Sequence, residues 1–290
     1  MILMAIVLLG LTGLLLGLGL AFSDRWLAVA VNPRVTAVRA ALPGTNCGAC
    51  GFPGCDGAAA AVVEGAAPVT VCVAGGQGAA DAVAAVMGVA AGAVEKKVAL
   101  VFCQGGEGKG VVKYRYAGVR DCRAAVLVAG GPKACPYACV GLGNCTRVCP
   151  YGAIVMGADG IPVVDPARCT GCGLCVAECP KKVIRLVPDE KRYHIRCSSH
   201  DKGPAVKKVC SVGCIACTLC VKNCPSKAIV IEHFLAVMDY AKCTHAGACR
   251  QKCPTGTIVC EVRPGETPPV PPPAPAAVAP VAAVPPAPVV

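Results

Sequence analysis

The sequence predicts an α+β protein built in series. An apolar anchoring helix comes first, then a small four-cysteine domain, then a duplicated cysteine-rich body of short helices and strands. Three observations predict this. Residues 1–22 carry no charged side chain. Cysteine makes up 24 of 290 residues and falls in tight runs, while aromatics reach only 4%, too few for a core built on large rings. The cysteine spacing also repeats. Cys122, Cys135, Cys139, Cys145 and Cys149 recur 75 positions later as Cys197, Cys210, Cys214, Cys220 and Cys224, and Cys169, Cys175 and Cys179 recur 74 positions later as Cys243, Cys249 and Cys253. The expected divisions are 1–23 for the anchor, 24–98 for the four-cysteine domain with an Ala/Val helix, 99–190 and 191–262 for the two repeat units, and 263–290 for a Pro/Ala-rich tail.

As a helix, the first 22 residues would span about 33 Å, which matches a hydrocarbon core of about 30 Å. The competing reading is a cleaved secretory signal, helped by the small residues Ala28 and Ala30. No Lys or Arg precedes the apolar run, however, and the run is long for a signal. Arg25, Arg34 and Arg39 all follow it. The positive-inside rule then predicts one pass through the cell (inner) membrane, with the N-terminus outside and the body cytoplasmic. A reducing cytoplasm also suits thiolate chemistry.

The stretch NCGACGFPGC sets Cys47, Cys50 and Cys55 at C-x2-C-x4-C, and 16 residues separate Cys55 from Cys72. Three clustered thiolates and one distant one complete a four-cysteine site. Ala58–Glu64 reads as a short helix and Gly78–Val94 as a packed one, since its uninterrupted apolar part is too short to cross a bilayer. Lys97–Cys103 and Gly110–Ala117 read as strands. No G-x-G-x-x-G follows a strand and no Walker motif is present, so no nucleotide site is expected. Pro264–Val290 cannot build a core and reads as an extended, disordered spacer.

The strongest local signal is RCTGCGLCVAECP, Arg168–Pro180. Its spacing, C-x2-C-x2-C-x3-C-P, wraps a [4Fe–4S] cluster in bacterial-type ferredoxins, where three cysteines of one run join the fourth of the other. Each repeat unit is therefore expected to be ferredoxin-like. By that rule Cys169, Cys172 and Cys175 join Cys149, and Cys214, Cys217 and Cys220 join Cys253. The repeat has two gaps: Leu142 stands where the second unit has Cys217, and Ala246 where the first has Cys172. Cys139, Cys145 and Cys179 thus need a fourth ligand, with Cys135 the nearest candidate; Cys243, Cys249 and Cys224 need one from Cys260 or His245. With the Cys47 site this makes five [4Fe–4S] sites. Cys103, Cys122, Cys197 and Cys210 are left over, either as a sixth cluster bridging the units or as buried thiols, and Cys135 is also available to that group.

Other chemistries fit less well. Disulfides are strained at C-x2-C and disfavoured in a reducing compartment. Zinc explains single C-x2-C pairs but not the repeated triplet followed by C-x3-C-P. The formal charge of +11 suggests an acidic partner such as nucleic acid. Yet each oxidised core on four thiolates carries about −2, so five or six sites cancel about 10 to 12 charges. The loaded protein is then nearly neutral, and no basic–aromatic interleaving supports nucleic-acid binding. There is no acid–base pair or nucleophile constellation, hence no catalytic residue, and His194, His200 and His233 read as surface or packing residues.

An apolar anchor, then NCGACGFPGC with Cys72, then tandem ferredoxin runs resembles the B subunit of the Rnf electron-transport complexes, from Met1 to about Cys260. CVGLGNCTRVCPYGAI and Asp201–Gly203 match the longer members. The resemblance implies a subunit of a membrane translocase that exchanges electrons between ferredoxin and NAD, coupled to sodium or proton movement. This chain would accept electrons from soluble ferredoxin and relay them to the other subunits, with NAD, flavin and ion sites elsewhere and the bilayer as a further partner. Two other readings are an electron-transfer subunit of a different complex, since the Cys47 motif also occurs in corrinoid iron–sulfur proteins, and a non-redox zinc module.

Overall fold

The computed structural model describes residues 2–27 and 32–261; the tail at 263–290, and Ala28 and Ala30 of the signal reading, lie outside the described residues. Helix α1 (Ile2–Leu27) is continuous and apolar. From Ile6 to Leu27 it is long and apolar enough to cross a membrane, and its side chains there are not buried against the rest of the chain. The hydroxyl of Thr12 bonds back to the carbonyls of Leu8 and Leu9 at 3.0 Å, so its one polar side chain before Ser23 is satisfied within the helix.

Helix α2 (Pro33–Ala41) starts on Asn32, whose Oδ1 accepts the Arg34 N–H, with Pro33 in the first turn where no N–H is needed. It packs on α3 (Gly54–Val63) and α4 (Gly76–Met87) through Val38, Ala58, Ala59, Val62 and Val83. Helix α4 ends well before Val94. Gly88 takes the left-handed conformation at φ +70° and stops the helix although the apolar sequence continues.

The body contains the same plan twice. In the first unit, β1 (Lys97–Val101) precedes α5 (Cys122–Leu127), α6 (Asn144–Arg147), β2 (Ile154–Met156), β3 (Pro162–Val164), α7 (Leu174–Glu178) and β4 (Ile184–Pro188). Strands β2 and β3 form a hairpin, and β1 pairs antiparallel with β4 from Lys97↔Pro188 to Val101↔Ile184. In the second unit, β5 (Tyr193–Ile195), α8 (Gly203–Val209), α9 (Leu219–Lys222), β6 (Ile229–Glu232), β7 (Leu235–Met238), α10 (Ala248–Gln251) and β8 (Ile258–Cys260) repeat the arrangement. There β6 pairs with β7, and β5 with β8. Each unit thus has a hairpin and a sheet made from its first and last strands, the α+β ferredoxin-like plan expected from the repeat.

Gly110–Ala117 is not a strand. It makes only isolated bridges, Gly110↔Cys210 and Val112↔Lys133. Its side chains are spent on a turn instead: Lys113 Nζ donates to the Ala129 carbonyl at 2.7 Å and the Tyr114 hydroxyl to that of Val128. The units join where β1 and β5 end. Arg196 Nε donates to the Val101 carbonyl and the Ser198 hydroxyl to that of Phe102, both at 3.0 Å. The Arg185 guanidinium lies 4.7 Å from the centre of the Phe102 ring.

The first unit's cysteine run is pressed against β1. Gly171 sits at φ +69°, and a Cβ there would lie 2.3 Å from the Lys97 carbonyl oxygen. Gly171→Ala therefore faces both left-handed strain, about 1–3 kcal/mol, and a backbone collision. It is expected to lower the unfolding temperature and loosen the β1–β4 sheet. An unchanged melting curve, with unchanged amide exchange in β1, would refute this.

Candidate metal centres

The fold converts the cysteine runs into walls of small cavities. Three are of similar size, about 300, 310 and 340 Å³. Cys149, Cys169, Cys172 and Cys175 line the first, Cys224, Cys243 and Cys249 with His245 the second, and Cys214, Cys217, Cys220 and Cys253 the third. Each triplet runs into a short helix: Cys175 lies in α7, Cys220 in α9 and Cys249 in α10. The fourth cysteine comes from the other half of the unit, and the strand pairing brings it round.

Backbone N–H groups point at these sulfurs. Ala99 N–H of β1 donates to Cys169 Sγ at 3.4 Å, and Ala228 N–H to Cys224 Sγ at 3.3 Å. Such bonds raise a thiolate's stability and a bound centre's potential. Among the described residues, no three His, Cys, Asp or Glu side chains converge on a single-ion position. The thiols stand around a void, a donor set and spacing that suit a multi-iron core.

The two gaps have different solutions. At Leu142 the chain brings in Cys122, which packs beside that leucine and Val140. Burial first, then the charges of Cys122 and Cys179, push the Cys145 thiol up to about 11. The buried Asn144 holds Cys122 in place. Its Oδ1 accepts the Cys122 N–H at 2.9 Å, and its Nδ2 donates to Asp121 at 2.6 Å and Glu178 at 2.9 Å. Cys122 therefore belongs beside Cys139, Cys145 and Cys179, where Cys135 was expected. It does not lie with Cys103, Cys197 and Cys210; Cys135 does, lining with those three a cavity between the units.

At Ala246 two groups are close. His245 lines the cavity, and its buried Nε2 has no hydrogen-bond partner among the described residues. Cys260 ends β8 opposite Tyr193, buried in one cluster with Cys249 and against Cys224 and Cys243. Its counterpart in the first unit is Leu186, whose Cδ1 is 3.9 Å from the Cβ position of Gly173, next to Cys172. The strand end thus lies over the gap.

In the N-terminal domain, burial raises the Cys72 thiol, the Gly75 backbone N–H opposes it, and the charges of Cys55, Cys50 and Cys47 raise it further, so all four gather. Asn46 Oδ1 accepts the Cys55 N–H at 2.8 Å and shapes the loop. This site abuts the first unit, since the charge of Cys47 is felt by both Tyr151 and Cys172. The buried Tyr151 and Thr170 hydroxyls lie between them, close to each other and to the Cys47 and Cys172 thiols. Sequence reading passes over Asn144, Tyr151 and Thr170. One signal exists for the first: Asn144 occupies the repeat position of Leu219, a polar residue two places beyond the missing cysteine.

Cysteine sets of this kind on a duplicated ferredoxin-like body define an iron–sulfur electron-transfer protein. The family model for a putative Fe-S cluster matches residues 42–74, and that for a 4Fe-4S dicluster domain matches 138–183 and 213–257. Similar proteins include the B subunit of the Na(+)-translocating ferredoxin:NAD(+) oxidoreductase complex of Acetobacterium woodii, 46% identical over 92% of this chain and 80% of the relative. The B subunit of the proton-translocating ferredoxin:NAD(+) oxidoreductase complex of Clostridium ljungdahlii is 47% identical over 89% and 92%, and that of the ion-translocating oxidoreductase complex of Methanosarcina acetivorans 42% over 85% and 93%. The chain belongs to this family, the B subunits of the Rnf ion-translocating ferredoxin:NAD oxidoreductase complexes, and is their iron–sulfur electron-transfer subunit.

Without metal, the same burial makes the thiols poor acids. It pushes Cys139, Cys175, Cys197 and Cys220 up to about 12 and Cys249 to about 11, against an ordinary 9.0. Cys224 runs the other way: burial opposes its ionisation, but the Ser226 hydroxyl and neighbouring N–H groups together outweigh it. For the raised thiols the folded chain holds protons that the unfolded chain gives up, so their stability contribution is complete below the unfolded value of 9.0 and is lost as pH rises through the folded values. The unfolding temperature of the metal-free protein should fall between about pH 8 and about pH 11. A flat profile would contradict it.

Proposed function

We propose that this chain accepts electrons from reduced ferredoxin and relays them through five four-cysteine sites to the other subunits of its complex, held at the membrane by α1 with the N-terminus outside and the body cytoplasmic. Arg25, Arg34 and Arg39 after the apolar run support that orientation. The proposed ligand sets are Cys47, Cys50, Cys55 and Cys72; Cys122, Cys139, Cys145 and Cys179; Cys149, Cys169, Cys172 and Cys175; Cys214, Cys217, Cys220 and Cys253; and Cys224, Cys243, Cys249 and Cys260. When bound, a [4Fe–4S] core stores one electron without binding substrate.

The observation that carries this reading is the pairing of thiol-lined voids with N–H···S bonds in both units. The protein's own work is to hold four sulfurs, exclude water and set potentials. Ile154, Ile184, Ile229 and Ile258 supply dry walls, and Gly171 lets the β1 backbone approach the cysteine loop. The proposed domain limits are 24–96, 97–190 and 191–262; the first boundary moves from the expected 98 to 96 because β1 begins at Lys97 and pairs with β4. Each domain then has its own role: one four-cysteine site, then two ferredoxin-like units.

Anaerobically purified full-length protein should hold iron and sulfide at about four per site with little zinc, and reduced ferredoxin should bleach its visible absorption. Stoichiometric zinc with negligible iron would refute the reading. Cys122→Ala and Cys260→Ala should each remove the equivalent of one site, about four irons per chain. Cys135→Ala should leave the Cys145 site intact, and if its spectroscopic signal instead disappears, the assignment of Cys122 is wrong.

A further inference from the structure

Of the 24 cysteines, only Cys217 is exposed; its companions Cys214, Cys220 and Cys253 are buried or half-buried. Ile231 of β6 and Ala236 of β7 form one wall of their cavity. These two residues face each other across the hairpin, and the pair Glu232 and Leu235 lies just beyond them. The hairpin then turns through His233 and Phe234 alone. A two-residue turn needs left-handed backbone at both positions, where Asn-Gly or Asp-Gly is at home. Here His233 sits at φ +45° and Phe234 at φ +63°. The first unit turns its equivalent hairpin over a longer loop that includes Gly160, at φ +73°, with Asp159 tied to Lys109 at 3.4 Å. A bulky pair in a turn made for glycine is local strain beside one particular site.

The strain carries an aromatic ring outward. Phe234 is 48% exposed, and the Lys202 ammonium lies 5.9 Å from the centre of its ring. The turn is braced from behind. His200 Nδ1 donates to the His233 carbonyl at 3.2 Å, and the His200 ring lies 5.4 Å from that of Tyr137 in the first unit. Lys202 precedes Gly203, where a Cβ would lie 2.6 Å from the Ile215 carbonyl oxygen, so the start of α8 is pressed on the loop that carries Cys217. Past Cys217, α9 exposes Leu219 and Lys222. The last turn of α8 exposes Lys207 and Lys208. The acids next to these groups are the half-buried Asp201 and the exposed Glu232, so lysines dominate.

We propose that the Phe234 turn, Lys202, Leu219 and Lys222 form the docking face for the electron donor, and that the Cys214, Cys217, Cys220 and Cys253 set is where its electron enters. This rests on the reading above that reduced ferredoxin is the donor, and adds where it docks and which set is loaded first. The fit is one of charge and shape. An oxidised core on four thiolates carries about −2, and reduction adds one more negative charge, so a small carrier of such a core is negative around its cluster. The lysines steer that face in, and Phe234 and Leu219 supply the apolar contact that fixes its orientation. Electron transfer between two proteins needs close approach, and at Cys217 no layer of side chains covers the sulfur. The donor is oxidised by one electron and the Cys214 set takes it up, with no bond made or broken and no proton required. The equivalent set of the first unit lacks this opening: Leu142 replaces Cys217, and Cys139 and Cys145 are buried.

The experiment uses full-length protein purified anaerobically with its iron. Bleaching of its visible absorption is followed after mixing with a reduced, soluble two-cluster ferredoxin, or with dithionite. Lys202→Glu and Lys222→Glu should each slow the second-order reaction with ferredoxin, and the pair together by at least about tenfold, with the difference shrinking at high salt. Phe234→Gly should slow it by about tenfold, although glycine suits φ +63° and the unfolding temperature should not fall. Dithionite should still reduce every variant to the wild-type extent. Arg120→Glu, a charge reversal at an exposed position of the first unit, should leave the ferredoxin rate as it is. The proposal is overturned if Lys202→Glu, Lys222→Glu and Phe234→Gly all keep the wild-type rate, or if Arg120→Glu slows it as much as Lys202→Glu does. If the substitutions disrupt folding, the wild-type protein decides: a ferredoxin rate that does not fall with salt contradicts steering by lysines. Wild type that dithionite reduces and ferredoxin does not would instead overturn ferredoxin as the donor.

Discussion

A [4Fe–4S] core needs four sulfurs around one void, and most runs of this chain supply only three for their own site. That constraint organises the structure. Every proposed site needs a sulfur from some distance along the chain, so the binding loops cannot be complete until the strands have paired and the helices have docked. The β1–β4 and β5–β8 sheets are short, but each ties the start of a unit to its last cysteine run. Much of the core is made of cysteine itself. Cys139, Cys145, Cys169, Cys175, Cys214, Cys220 and Cys249 are buried alongside Val and Ile, where another protein would place Leu or Phe. Metal loading and folding are accordingly coupled: the metal-free chain buries neutral thiols, and loading must remove their protons.

The two gaps in the repeat show how such a system tolerates loss of a ligand. At Leu142 the replacement sulfur comes from upstream, and Asn144 comes with it, fastening the Cys122 backbone to Asp121 and Glu178 through one buried amide. The second unit keeps Cys217 and has Leu219 at the position of Asn144. At Ala246 the replacement comes from downstream, at the end of β8, where the first unit has Leu186. In both cases the proposed replacement thiol comes from an element that already lies over the gap, which would preserve the number of sulfurs at the expense of regular spacing.

The contacts between sites follow the same economy. Tyr151, two residues after Cys149, reaches toward Cys47 in the N-terminal domain. Its repeat counterpart Ser226 is short and stays with Cys224, Oγ to Sγ at 3.5 Å. The first unit thus uses a long side chain where it meets another site, and the second a short one that stays within its own. Buried hydroxyls beside thiols are suited to donate to sulfur and so to bias the potential of the site they touch.

Much of this is legible in the sequence. The apolar N-terminal helix, the NCGACGFPGC loop, the duplicated α+β body and the two cysteine groupings with an exchanged fourth member all follow from local spacing and from apolar runs, because a three-residue rhythm of cysteines and a charge-free helix are local properties. Composition overstates the extent of α4 because apolar residues say nothing about a left-handed Gly88, and Gly110–Ala117 imitates a strand by alternation although no partner strand lies beside it. The grouping of Cys122, Cys135 and Cys103 was decided only by tertiary structure. Their spacing is irregular, so nothing local separates a ligand of one site from that of another, and the 75-residue offset even pairs the wrong cysteine with Cys197. Strand pairing sets which sulfur faces which cavity: ending β1 and β5 at one junction makes Cys103 and Cys197 equivalents, although their distances from the common repeat differ.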